Sequence, residues 1–112
     1  MKIYIAGKIS GLERKEIEEK FEKAKAEFLK SGNQPFIPSV LPAYAEVSHE
    51  EYLHICYAMI DICDAIYMLK DWQKSMGARL ELQYAADHRK KILYEDSATI
   101  EDNFPILHGY SR

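Results

Sequence analysis

The chain has 112 residues, 47% of them hydrophobic, and a formal net charge of -3. That is enough apolar chain for one compact domain with its own core, without disulfide or metal staples. The acidic balance, with a pI near 5.8, argues against a nucleic-acid backbone as the main partner, because that footprint is a basic face; small molecules or proteins are expected instead.

The N-terminal apolar run is only a few residues long before Gly7 and Lys8, too short for a signal peptide or a membrane span. A cytoplasmic location with no membrane partner is therefore expected. Cys56 and Cys63 fall on one expected helix, too far apart along its axis to bond to each other, and they suit a reducing compartment.

In chain order, residues 2–6 form a short β-rich run, and residues 7–11 follow as a turn with two glycines. Strand, glycine turn and helix open a nucleotide-binding α/β unit. The turn matches neither the dinucleotide fingerprint nor the Walker loop, and on its own it reads first as a tight connection between strand and helix. A helix is expected over residues 12–30, with Ile17, Phe21, Ala24 and Phe28 on one face and intrahelical Glu/Lys pairs on the solvated side. Ser31, Gly32 and Asn33 stop it.

Residues 34–37 read as a short edge strand, since Pro35 cannot donate to a ladder. Residues 38–47 read as a binding loop or lid. Ser48 and Glu51 form a capping box, so a second helix runs from there to about Cys63 with Tyr52, Ile55, Cys56, Met59 and Cys63 inward.

The third strand, residues 65–69, is the most continuously apolar run and belongs in the middle of the sheet. After a polar loop containing Asp71 and Trp72, Ser75 caps a third helix with Gly77 in its first turn, reaching about His88. A capping serine beside a glycine leaves backbone N–H groups bare at a helix start, which makes a seat for a phosphate or carboxylate. Glu81 lies about two turns further on, between Leu80 and Leu82, and is expected to face the same crevice. Those two leucines and the first strand are expected to screen it from water and raise its pKa. Residues 92–94 form a fourth strand; the tail, residues 96–112, has one apolar patch around Phe104 and Ile106, expected to dock on the domain or on a neighbouring subunit.

This alternation predicts an α/β fold: a three-layer, Rossmann-like (flavodoxin-like) parallel sheet of four or five strands, order 2-1-3-4(-5), with helices on both faces. Ligands of such sheets bind at the carboxyl ends of the strands. The 7–11 turn, the 71–75 loop and the 54–56 stretch of the second helix are expected there, and Asp61 and Asp64 at the opposite, structural end.

The residues from Tyr4 to Gly11, the Cys63-Asp64-Ala65-Ile66-Tyr67 run, Trp72, and the stretch from Ser75 to Glu81 resemble the nucleoside 2-deoxyribosyltransferase-like family. The likeness covers residues 1 to about 95 and is greatest to small bacterial and phage members and to deoxynucleoside 5'-monophosphate N-glycosidases. It implies cleavage of the bond between a nucleobase and C1' of deoxyribose without a cofactor. Glu81 would be the nucleophile and Tyr4 its hydrogen-bond partner. Gly7, Lys8, Ile9, Ser10, Gly11, Asp71, Trp72, Ser75 and Gly77 would form the binding site, with Ser75 and the glycine turn holding a 5'-phosphate or sugar hydroxyls and Trp72 stacking a base. It also implies a homodimer or larger. One position departs: Cys56 stands where the family's enzymes carry an aspartate that handles the leaving base, and a thiol is a poor substitute.

Three readings stand open at this point. One is a glycosidase or deoxyribosyltransferase acting on a deoxynucleoside or its 5'-monophosphate. Another is a binding protein that sequesters or senses a nucleotide in the same pocket, which Cys56 favours. The last is a structural role in which Glu81 pairs with Lys8 or Arg79. The four histidines show no metal-ligand spacing with the cysteines.

Overall fold

The computed structural model describes residues 1–38 and 48–96. The binding loop expected at 38–47, Pro38 apart, and the apolar patch of the tail lie outside the described residues. Strands β1 (Lys2–Ala6), β2 (Gln34–Phe36), β3 (Ala65–Met68) and β4 (Lys91–Tyr94) form one parallel sheet in the order β2-β1-β3-β4. Helices α1 (Arg14–Lys30), α2 (His49–Ile62) and α3 (Met76–Asp87) connect them, with a short 3-10 turn, Trp72–Lys74, ahead of α3. The expected Rossmann-like architecture and strand order are borne out.

Strand periodicity sorts the core into two layers. Tyr4 and Ala6 of β1 pair with Ile66 and Met68 of β3 and share a face with Ile92 of β4. Against that face pack Cys56 and Ile60 of α2 and Ala78, Leu82, Ala85 and Ala86 of α3. Ile5 points to the other face, where Phe21 and Ala24 of α1 and Leu69 cover it. β2 takes the edge, where Pro35 removes no needed donor.

Two features of the helices differ from the sequence reading. α1 starts at Arg14 rather than Leu12, because the Leu12 N–H closes a turn onto the Ile9 carbonyl. The buried stripe of α2 centres on Cys56 and Ile60, and Ile55 is only half-buried. At the amino ends of the strands Asp64 has the structural role expected of it. Its Oδ2 accepts the Lys2 N–H at 2.8 Å, and its own N–H donates to the Lys2 carbonyl. Asp61 accepts from the Tyr84 hydroxyl at 2.7 Å.

At the opposite end the exits of β1 and β3 approach closely. A Cβ on Gly7 would lie 2.7 Å from Leu69 Cδ1 and 3.1 Å from Leu69 Cβ. Gly7→Ala is therefore expected to lower stability by about 1–3 kcal/mol through overpacking. A urea midpoint equal to that of the parent would show that the strand ends have room to part.

Candidate active site

A cavity of about 440 Å³ opens at the carboxyl ends of β1 and β3. Three segments wall it: residues 7–10, the first turn of α2 from Ser48 to Leu53, and residues 74–78 with Glu81 from α3. Ser75, Ala78 and Glu81 recur every three residues on α3 and so share the side that faces the cavity.

Ser75 caps α3 as its sequence predicts: its Oγ accepts the Ala78 N–H at 3.1 Å. By the geometry of a helix start, the N–H groups of Met76 and Gly77 have no intrahelical acceptor, so they and the helix dipole present positive potential to the cavity. α2 starts on the same cavity, its capping box formed by Ser48 and Glu51. Lys8 and Lys74 add cations to the wall.

Glu81 is the one buried charged residue among those described, 6% exposed. The Tyr4 hydroxyl donates to its Oε2 at 2.5 Å, and the Cys56 thiol is its second hydrogen-bonding neighbour. Burial pushes the carboxyl up to about 7, and the bonds from Tyr4 and Cys56 oppose the rise. Burial and the Glu81 charge raise the Tyr4 phenol well above its ordinary value and push the Cys56 thiol up to about 12. Both groups remain protonated donors at neutral pH.

Several expectations need correction. Leu80 does not screen Glu81: at 39% exposure it lies on the outer side of α3, while Leu82 is buried in the core. Trp72 is not a stacking surface in the crevice, since it is 2% exposed and packs in the core, its ring centroid 6.0 Å from that of Tyr94. The tight 3-10 turn puts Trp72 into the core and brings Lys74, two residues on, to the cavity wall. Asp71 does not line the cavity, because its carboxylate accepts the Lys8 N–H at 3.0 Å and the Lys20 ammonium at 2.5 Å. Gly11 lies off the wall and serves its turn through a φ of 81°. Cys56 and Tyr4 sit behind Glu81, fully buried, and not on the cavity surface. Gly7, Lys8, Ile9, Ser10, Ser75 and Gly77 do line it.

The α2 contribution comes from Ser48, His49, Tyr52 and Leu53, one turn earlier than the 54–56 stretch expected from sequence, and His54 is exposed. The capping box carried the signal for this shift, since a helix that starts at the ligand end offers its first turn to the site. None of the ion pairs among the described residues involves Glu81, so the Lys8 or Arg79 pairing is not formed. No cluster of three or more metal-ligating side chains occurs among the described residues, nor is any described helix long and apolar enough to cross a membrane.

Solved structures share this fold. A 2-deoxyribosyltransferase from Leishmania mexicana is 26% identical and superposes with a TM-score of 0.65, over 83% of this chain and 62% of its own length. A CMP N-glycosidase from Clostridium botulinum, 17% identical, superposes with a TM-score of 0.66 over 99% of this chain and 83% of its own, a likeness of fold. The resemblance to the nucleoside 2-deoxyribosyltransferase-like family is thereby borne out. The chain belongs to the family described as a domain of unknown function, DUF4406, whose model matches residues 1–94. It spans less than two thirds of the Leishmania protein. No curated protein matches it.

Proposed function

We propose that the protein cleaves, or transfers across, the N-glycosidic bond of a deoxynucleoside or its 5'-monophosphate, with Glu81 as nucleophile. The observation that carries this reading is a buried carboxylate, held by a 2.5 Å bond from Tyr4, at the wall of a cavity bordered by two helix starts. The likeness to the Leishmania 2-deoxyribosyltransferase supports it.

In this reading a 5'-phosphate or the sugar hydroxyls rest against the start of α3 and residues 7–10, where N–H groups and Lys8 meet negative charge. The base–C1' bond breaks through an oxocarbenium-like state while a Glu81 oxygen bonds to C1'. The base leaves with the bonding electrons and takes up a proton from water. Water then releases the sugar, or a second base accepts it. Tyr4 orients the carboxylate without taking its proton, because its own phenol is raised well above neutral.

Residues 1–95 would form this unit, with residues 96–112 docking on it or on a second copy in a cytoplasmic homodimer or larger assembly. Cys56 favours a second reading, nucleotide capture without cleavage, because a thiol pushed up to about 12 has little acid–base use at neutral pH.

Incubation with the deoxynucleosides and their 5'-monophosphates, followed by chromatography, tests the proposal. Free base is expected from at least one of them. Tight binding with no free base would replace the enzyme reading with the capture reading.

A further inference from the structure

We propose that Lys20 and Asp71 are positioning residues: together they clamp Lys8 and hold the 7–10 arm of the cavity in register with the 74–78 arm. Asp71 Oδ1 accepts the Lys8 N–H at 3.0 Å, Asp71 Oδ2 accepts from Lys20 Nζ at 2.5 Å, and the same ammonium donates to the Lys8 carbonyl. The Lys8 N–H belongs to the peptide plane before Lys8 and its carbonyl to the plane after it, so both planes of this arm are pinned.

The arm needs the restraint. It lies between two glycines, the residue type with the most backbone freedom to lose. Its own internal bonds are a Lys8 ammonium on the Ser10 carbonyl at 3.0 Å and a Leu12 N–H on the Ile9 carbonyl at 3.3 Å. Asp71 directly precedes Trp72, which is anchored in the core and starts the turn that delivers Lys74 and Ser75 to the facing arm. One carboxylate thus ties the two walls to a single fixed point.

Lys20 also departs from the pattern of its own helix. Arg14, Lys15 and Lys25 pair with glutamates three or four residues away on α1, at exposed positions. Lys20 has Glu16 four residues before it, yet its ammonium crosses to Asp71, where the two side chains are only 20% and 28% exposed. A charge-assisted pair shielded to that degree holds geometry better than the exposed pairs do.

The enzymatic arm of the test rests on the proposed function; the other arm does not. Lys20→Met, Lys20→Arg and the near-isosteric Asp71→Asn are compared with the parent in two measurements. For whichever deoxynucleoside 5'-monophosphate the parent cleaves, Lys20→Met is expected to raise KM about tenfold while kcat falls less than about threefold, with Lys20→Arg recovering most of the loss. Without ligand, amide exchange over residues 7–11 is expected to speed up about tenfold in Lys20→Met and in Asp71→Asn, with β1 and β3 unchanged. Exchange and KM within about twofold of the parent, or exchange accelerated evenly along the whole chain, would overturn the clamp. A parent that cleaves none of the probes would sink the glycosidase reading and leave the exchange arm to decide on the clamp. Should Lys20→Met not fold, Asp71→Asn carries both measurements.

Discussion

Glu81→Gln is expected to abolish release of free base, by about three orders of magnitude or more, while nucleotide binding stays within a few-fold of the parent. The amide fills the same space and still accepts from Tyr4, but it cannot bond to C1'. The same variant changes how stability responds to pH. The Glu81 carboxyl stands at about 7 in the fold against an ordinary 4.5, so between those values the folded chain keeps a proton that the unfolded chain has lost. Stability therefore falls as pH rises through that window, and the lost contribution reaches about 3 kcal/mol above pH 7. Glutamine has no such proton. Denaturant titrations from pH 5 to pH 8 should show Glu81→Gln gaining on the parent by about that amount, and a constant difference across the window would mean that the carboxyl is not desolvated. In the parent, kcat/KM should rise with pH through about 7, as the nucleophilic form appears.

The strand order and the Ser75–Glu81 element were legible because they rest on local signals. A continuous apolar run marks β3 as central, a proline marks β2 as an edge, and a capping serine fixes both the start of α3 and the side Glu81 faces. The screening of Glu81 was legible too, and was misread. Ala78, the pair Glu81 and Leu82, and the pair Ala85 and Ala86 are the buried positions of α3, recurring every three or four residues, and Leu80 falls outside that stripe.

Trp72 and Lys20 could not be read in the same way. A tryptophan in a polar loop looks exposed until the 3-10 turn behind it is known. Lys20 sits in a run of charges whose spacing suits solvated intrahelical pairs, and only the tertiary approach of Asp71 and Lys8 draws it away from them. The sequence held the chemistry of α3 in one stretch, whereas the walls of the cavity depend on contacts between segments far apart in the chain.

Cys56→Asp is expected to change both stability and activity, in opposite directions. Sulfur is replaced by a carboxyl of similar volume that reaches one bond further, into a fully buried space shared with Glu81, Tyr4 and Tyr52. Two carboxylates there cannot both ionise near neutral pH, so the pair retains one proton while the unfolded chain retains none. Stability should fall more steeply with pH than in the parent, leaving the variant about 3–5 kcal/mol weaker at pH 8 and much less so at pH 5. The retained proton is also what the proposed reaction would lack in the parent, where Glu81 is flanked by a phenol and a thiol that do not release theirs near neutral pH. Reaching one bond past the thiol position, toward the cavity edge at Glu81, a neutral carboxyl is expected to protonate the departing base of the proposed reaction and so raise base release about a hundredfold between pH 6 and 7. Cys56→Ser, which keeps a donor to Glu81 without adding an acid, should release base at the rate of the parent. If Cys56→Asp folds and binds nucleotide but, like the parent, frees no base, the pocket captures its ligand and does not cleave it.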